Sequence, residues 1–107
     1  MTGSFGDMGN LLKQAQEMQR QLDRVREELA QEIIVGTGGG GVVRVEVNGE
    51  GEVKSVNIDD GVVRSGDRAV IEDLVLAALR DGISQAHRLR KERLAAVTGG
   101  LNLPGMF

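Results

Sequence analysis

The stretch Gly41–Asp59, GVVRVEVNGEGEVKSVNID, decides how this chain folds. Val43, Val45 and Val47 alternate with Arg44 and Glu46. A period of two marks a strand that is covered on one face and wet on the other. Asn48 and Gly49 follow at once and form the strongest short hairpin signal, because both tolerate a positive φ. The return strand is expected over Glu52–Ile58, with Val56 and Ile58 on one face. Val53 falls out of step with them, so this strand is either covered on both sides or shifted by a bulge.

Upstream, Ile33, Ile34 and Val35 are β-branched and read as a first strand. Gly36, Thr37 and Gly38–Gly41 then read as a flexible link between strands. Before them, Met8, Leu11, Ala15, Met18, Leu22, Val25 and Leu29 recur alternately three and four residues apart. That is a heptad seam on one helix face, and the Gln, Glu and Arg between favour helix. The pattern predicts a helix over residues 9–31, ~35 Å long at ~1.5 Å per residue, with Asp7 or Asn10 as its cap. So thin a stripe needs a surface to lie against. Either the second helix of the same chain or the same helix of another subunit can supply it.

Downstream, Asp59, Asp60 and Gly61 end the sheet, and Asp67 suits the N-cap of a second long helix over residues 68–97. Its apolar face is Ile71, Leu74, Val75, Ala78, Leu79, Ile83, Ala86 and Leu89. Gly82 inside it marks a close helix crossing or is merely tolerated, at a cost of about 1 kcal/mol relative to Ala. Gly99 and Gly100 stop the helix. The expected fold is therefore α+β: one domain over residues 1–107, ordered helix, three-stranded antiparallel sheet, helix. Residues 1–8 and 99–107 are expected to be flexible tails. A three-stranded sheet with one apolar face needs a helix over it, and the second helix is the natural cover. The first helix is then left projecting, which favours a homodimer.

The 107 residues contain no cysteine, so disulfides, thiolate metal sites and cysteine nucleophiles are excluded. Phe5 and Phe107 are the only aromatic residues, leaving aliphatic side chains to build the core. The start lacks a basic patch followed by an apolar run, and no apolar stretch approaches the ~20 residues that span a bilayer. A cytoplasmic location without membrane contact is expected. His87 is the sole histidine, and it reads as a solvated surface side chain rather than a ligand. Asp59 and Asp60 suit a turn better than a catalytic pair. The glycine run is followed by Val42 and Val43 rather than Lys and Ser or Thr, so it is not a phosphate loop. Nothing assembles a nucleophile, a base and an oxyanion donor. The expectation is no enzyme, no cofactor, no metal and no small-molecule substrate.

The basic residues are more informative. Net charge is −3, yet residues 82–107 carry four basic groups and one acidic group. Lys13, Arg20 and Arg24 share the outer face of the first helix, opposite the seam, with Glu17 and Glu27 interrupting. On the second helix Arg80, Arg88 and Lys91 form one stripe beside His87, and Arg90 and Arg93 form another. Such stripes can follow phosphates along a duplex. They can equally be solvated helix faces that keep a protein soluble.

Four segments carry a resemblance. Gly9–Gln19, GNLLKQAQEMQ, looks like an opening helix, and Gly41–Gly49, with Val53, Val56, Ile58 and Asp59 beyond it, looks like a signature hairpin. DLVLAAL at Asp73–Leu79 and the closing GGLNLPGMF complete the set. In this order they resemble the YbaB/EbfC family of bacterial nucleoid-associated proteins over nearly the whole chain. Asp60 stands where that family usually has Pro. The resemblance implies a tweezer-like homodimer that binds double-stranded DNA and alters its conformation, located in the cytoplasm at the nucleoid and influencing gene expression. Contact would be mainly with backbone phosphates, through Lys13, Arg20, Arg24, Arg80, Arg88, Arg90, Lys91 and Arg93. The dimer seam would be Leu11, Ala15, Met18, Leu22, Val25 and Leu29. The competing reading is a coiled-helix scaffold that recruits another protein without touching DNA. With one histidine and no cysteine, the purified protein is expected to retain no stoichiometric transition metal after dialysis, which elemental analysis checks.

Overall fold

The computed structural model describes residues 3–99, with side chains from residue 7 onward. Gly100 and the rest of the C-terminal segment lie outside the described residues, as do residues 1 and 2. The elements run α1 (Gly3–Gln31), β1 (Ile34–Gly38), β2 (Val43–Val47), β3 (Val53–Ile58), α2 (Asp60–Ser65) and α3 (Arg68–Thr98). The strands form one antiparallel sheet in the order β1-β2-β3. The expected helix–sheet–helix order holds, with α2 as an addition. α1 begins at Gly3, so Asp7 and Asn10 lie inside the helix and neither caps it. Asp67 caps α3 as expected, its Oδ1 accepting from the Val70 N–H at 3.3 Å.

The alternation in β2 is realised: Val43, Val45 and Val47 are buried and Arg44 and Glu46 exposed. The covering element is α3, which presents Ala78, Gly82 and Ala86, all buried, at four-residue spacing. Facing them on β1 are Gly36 and Gly38, both buried. A Cβ on Gly36 would collide with the Ala78 carbonyl oxygen and the Gly82 nitrogen. One on Gly38 would collide with the Leu74 carbonyl oxygen. One on Gly82 would lie 2.5 Å from Val47 Cγ2. Gly36 and Gly38 are thus strand residues under a helix rather than part of a flexible link, which corrects the reading of the glycine run. The link is only Gly39–Val42, where Gly39, Gly40 and Gly41 take φ of 63°, 75° and 108°. Gly82 likewise marks a crossing, but of a helix over a strand.

Side chains of α3 also reach the outer edge of β1. Asp81 Oδ2 accepts from the Thr37 N–H at 2.9 Å, and Gln85 Nε2 donates to the Val35 carbonyl at 3.1 Å. These bonds occupy groups that an edge strand otherwise leaves open.

The β2–β3 connection differs from a two-residue turn. The Gly51 N–H donates to the Asn48 carbonyl at 3.0 Å, and Gly51, not Asn48 or Gly49, has the positive φ, 85°. This is a three-residue loop whose last residue takes the left-handed conformation. Asn48 is buried and used locally. Its Oδ1 accepts from the Glu50 and Glu52 N–H groups, both at 3.0 Å, and its Nδ2 donates to Glu52 Oε1 at 2.9 Å. Past the loop the register shifts between Glu46 and Val47, so that Val47 pairs with Val53 while Val45 pairs with Val56. The bulge alternative for Val53 is the one observed. It returns Val53 to the same face as Val56 and Ile58.

α2 has no counterpart in the periodicity, because six residues with two valines carry too little pattern. Asp59 before it and Gly66 after it, at φ 67°, are its local signals. At the far end α3 stops at Thr98, with Gly99 still in right-handed helical geometry.

The glycine contacts set opposite expectations for two substitutions. Gly36→Ala meets backbone atoms that cannot move aside, so urea denaturation is expected to show a loss of about 3 kcal/mol or more. Gly9→Ala in α1 has nothing within 4 Å of its new Cβ and is expected to gain about 0.5–1 kcal/mol.

Candidate nucleic-acid interface

α3 carries Arg80 and, in its C-terminal half, Arg88, Arg90, Lys91 and Arg93. Arg80, His87, Arg88, Arg90 and Lys91 are exposed, and no described carboxylate lies within 4 Å of any of them. Arg80 and Lys91 are eleven residues, about three helical turns, apart and share the side facing away from the sheet. Arg88 lies one turn before Lys91, so these three form the stripe read from the sequence.

Arg93 behaves differently. It follows Ala86 by seven residues, two turns, and so returns toward the buried face. Its Nη2 meets Glu32 Oε1 at 2.8 Å, with both side chains a little over one-third exposed. Arg24 lines the notch beside this pair, together with Glu27, Glu28 and Gln31. Three carboxylates around two guanidinium groups leave this notch with little positive field. On the outer part of α1, Arg20 pairs with Glu17 at 3.2 Å, both mostly exposed, and Lys13 stands free of described carboxylates. The structure therefore sets Arg80, Arg88 and Lys91 on the outward side of α3, with Arg90 on the flank beside the Gly49–Gly51 loop. It puts Arg24 and Arg93 together in a different, compensated setting.

The apolar seam of α1 also divides. Leu29 is fully buried, and its carbonyl accepts from the Gly49 N–H at 2.7 Å, so it belongs to the core of its own chain. Met18, Leu22 and Val25 are half-buried, whereas Leu11 and Ala15 are exposed. The C-terminal part of α1 packs against α3.

Sequence reasoning missed a second apolar surface. Val53 and Val56 pair with Val47 and Val45 and share their face, yet they are 44% and 46% exposed. α3 packs on β1 and β2, and of the β3 side chains on that face only Ile58 packs against the core. Ile83 lies beside the Gly49–Gly51 loop, on the β3 side of the helix, and is also exposed. With Leu76 and Leu79 it lines a shallow hollow rimmed by Arg80, His87 and Arg88. Nothing in the sequence separates Val53 and Val56 from covered valines, because only the position of α3 decides their exposure. Among the described residues no cluster of His, Asp and Glu could hold a metal ion, and no described helix is long and apolar enough to cross a membrane.

A sequence model of the YbaB/EbfC DNA-binding family matches residues 5–101. A nucleoid-associated protein of Desulfotalea psychrophila is 40% identical over 100 residues, covering 94% of each chain. One from Caldanaerobacter subterraneus is 42% identical over 105 residues, covering 98% of this chain and 94% of that one. Among solved structures, an uncharacterized protein of Helicobacter pylori superposes with a TM-score of 0.68 at 30% identity, covering 82% of this chain and 89% of the other.

Proposed function

The chain belongs to the YbaB/EbfC DNA-binding family, and from that premise we propose that it works as a homodimer that grips duplex DNA by its phosphates and changes the path of the double helix. It is a DNA-binding, nucleoid-associated protein and not an enzyme. Its place of action is the nucleoid, in the cytoplasm.

The observation that carries the phosphate reading is the α3 group Arg80, Arg88, Arg90 and Lys91, exposed and without carboxylate partners among the described residues. Residues 82–107 hold all of these side chains but Arg80, in a stretch where basic groups outnumber acidic ones, within a chain of net charge −3. α2 precedes α3 across Gly66 and Asp67, but Arg80, Arg88, Arg90 and Lys91 lie well beyond the first turns of α3, where a recognition helix presents its base-reading side chains, so base readout is minor and backbone contact dominates.

We place the two-fold contact on the uncovered surface of Val53, Val56, Leu76, Leu79 and Ile83. Arg80, His87 and Arg88 rim its hollow, so pairing there sets the basic residues of two copies side by side and doubles the local field. The seam of α1 from Leu11 to Val25 is the alternative contact, and α1 then projects or pairs accordingly. Sedimentation separates the two. Val56→Asp is expected to give a folded monomer, whereas Leu11→Asp leaves the dimer intact; the reverse result assigns the contact to α1.

DNA binding is tested by fluorescence anisotropy across a salt series. With about six phosphates neutralised, the log–log slope of affinity against salt is expected near −5. Replacing Arg88, Arg90 and Lys91 together by Ala is expected to weaken binding about equally for unrelated duplexes. The slope should flatten by about one unit for each phosphate that is no longer neutralised. An unchanged slope would remove α3 from the site. Absence of wild-type binding at low salt would favour the scaffold reading instead.

A further inference from the structure

Four of the five described ion pairs are local: three join neighbouring turns of one helix, and Lys54–Glu52 lies within the hairpin. The fifth, Arg93–Glu32, ties α3 to the segment where α1 ends, across 61 residues of sequence. Two further bonds grip the same place. The Gly49 N–H donates to the Leu29 carbonyl at 2.7 Å, and Asn48 Nδ2 donates to the Ala30 carbonyl at 3.3 Å. Leu29 and Ala30 are in the last turn of α1, where helix carbonyls lack partners of their own. The hairpin loop supplies a donor to the Ala30 carbonyl and a second one to the Leu29 carbonyl, which also accepts from the Glu32 N–H at 3.2 Å.

We propose that this joint sets the direction in which α1 leaves the sheet, and that Glu32 and Arg93 are positioning residues for DNA binding rather than phosphate contacts. The inference rests on the DNA-binding reading above. Lys13 and Arg20 lie 18 and 11 residues before Gln31, where α1 ends, so they stand ~27 and ~17 Å from its root, and a rotation of ~10° there carries them ~5 and ~3 Å. Displacements of that size are enough to break a hydrogen bond. With the root loose, Lys13 and Arg20 still reach phosphates, but binding must first order α1, so affinity falls while the number of phosphates neutralised stays the same. Arg93 is poorly placed to contact phosphate itself, because leaving Glu32 would strand a half-buried carboxylate.

Charge alone and positioning predict opposite signs for one substitution. Glu32→Ala removes negative charge, which by electrostatics alone tightens DNA binding. Loss of positioning weakens it. The measurements are anisotropy titrations of a fixed duplex with wild type, Glu32→Ala, Arg93→Ala, Arg93→Lys and the swapped pair Glu32→Arg with Arg93→Glu. They are accompanied by spin-label distances between cysteines placed at Gln14 and Asn57, in chains diluted with unlabelled protein. The chain has no cysteine of its own to interfere. Both alanine variants are expected to bind about tenfold more weakly with the salt slope unchanged and the distance distribution broadened. Arg93→Lys and the swapped pair are expected to recover affinity and a narrow distribution. Equal or tighter binding by Glu32→Ala overturns the proposal. So does a narrow distance distribution in both alanine variants, or a flattened salt slope for Arg93→Ala. If wild type itself fails to bind DNA, the DNA reading falls, and the distance distributions still decide whether the joint holds α1.

Discussion

The backbone of α3 lies on the backbone of β1 because three positions have no side chain. Gly36, Gly38 and Gly82 leave room that any Cβ would close, and the obstacles at the two strand positions are backbone atoms rather than flexible side chains. Everything else in the sheet–helix layer follows from that approach. It seats Ala78 and Ala86 over the β2 valines, so six small or medium apolar side chains suffice for a fully buried core. It brings Asp81 and Gln85 within hydrogen-bond distance of the β1 main chain. It also draws the helix to one side of the sheet, leaving Val53 and Val56 of β3 exposed. An exposed apolar surface is costly to a lone chain and useful to a pair. The glycines that make the core compact thus also create this exposed apolar surface.

The far end of the molecule is held by polar contacts. Asn48 is buried with both ends of its amide engaged: its oxygen satisfies two loop N–H groups while its nitrogen reaches Glu52 and the end of α1. Substituting an apolar residue there would strand several donors at once. Gly49 has a different reason to be glycine than a turn conformation, since its Cβ would strike Leu29. Residues that read as a hairpin turn are therefore also the socket for a helix. A fold with few large side chains in its core depends more heavily on such directional contacts to fix how its elements meet.

Much of this is legible in the sequence, and the failures share a cause. Alternation in β2, the Asp67 cap and the length of α3 are local properties, and local reasoning finds them. The glycine run misleads because glycine normally signals a loop; that Gly36 and Gly38 lie under a helix depends on residues some forty positions away. Val53 and Val56 look like core valines and match core valines in register, yet nothing covers them. Of the basic residues, Arg93 is separable from the rest by sequence, since two turns beyond Ala86 points to the buried side. Its partner Glu32 is not, because no periodic pattern connects them. Helical spacing puts Arg80, Arg88 and Lys91 on the side away from the apolar face, and all three are exposed.

The unequal edges of the sheet limit how these chains can add to one another. On β1 the Thr37 N–H and the Val35 carbonyl are occupied by Asp81 and Gln85 of the chain's own helix. A strand arriving there would have to displace both. At β3 no described side chain plays that part. A chain with one closed edge and one open edge can extend its sheet into a neighbour only once, and the neighbour's open edge is consumed by the same act. Growth of the sheet from chain to chain therefore terminates at a pair, where a molecule open on both sides could continue into a fibre.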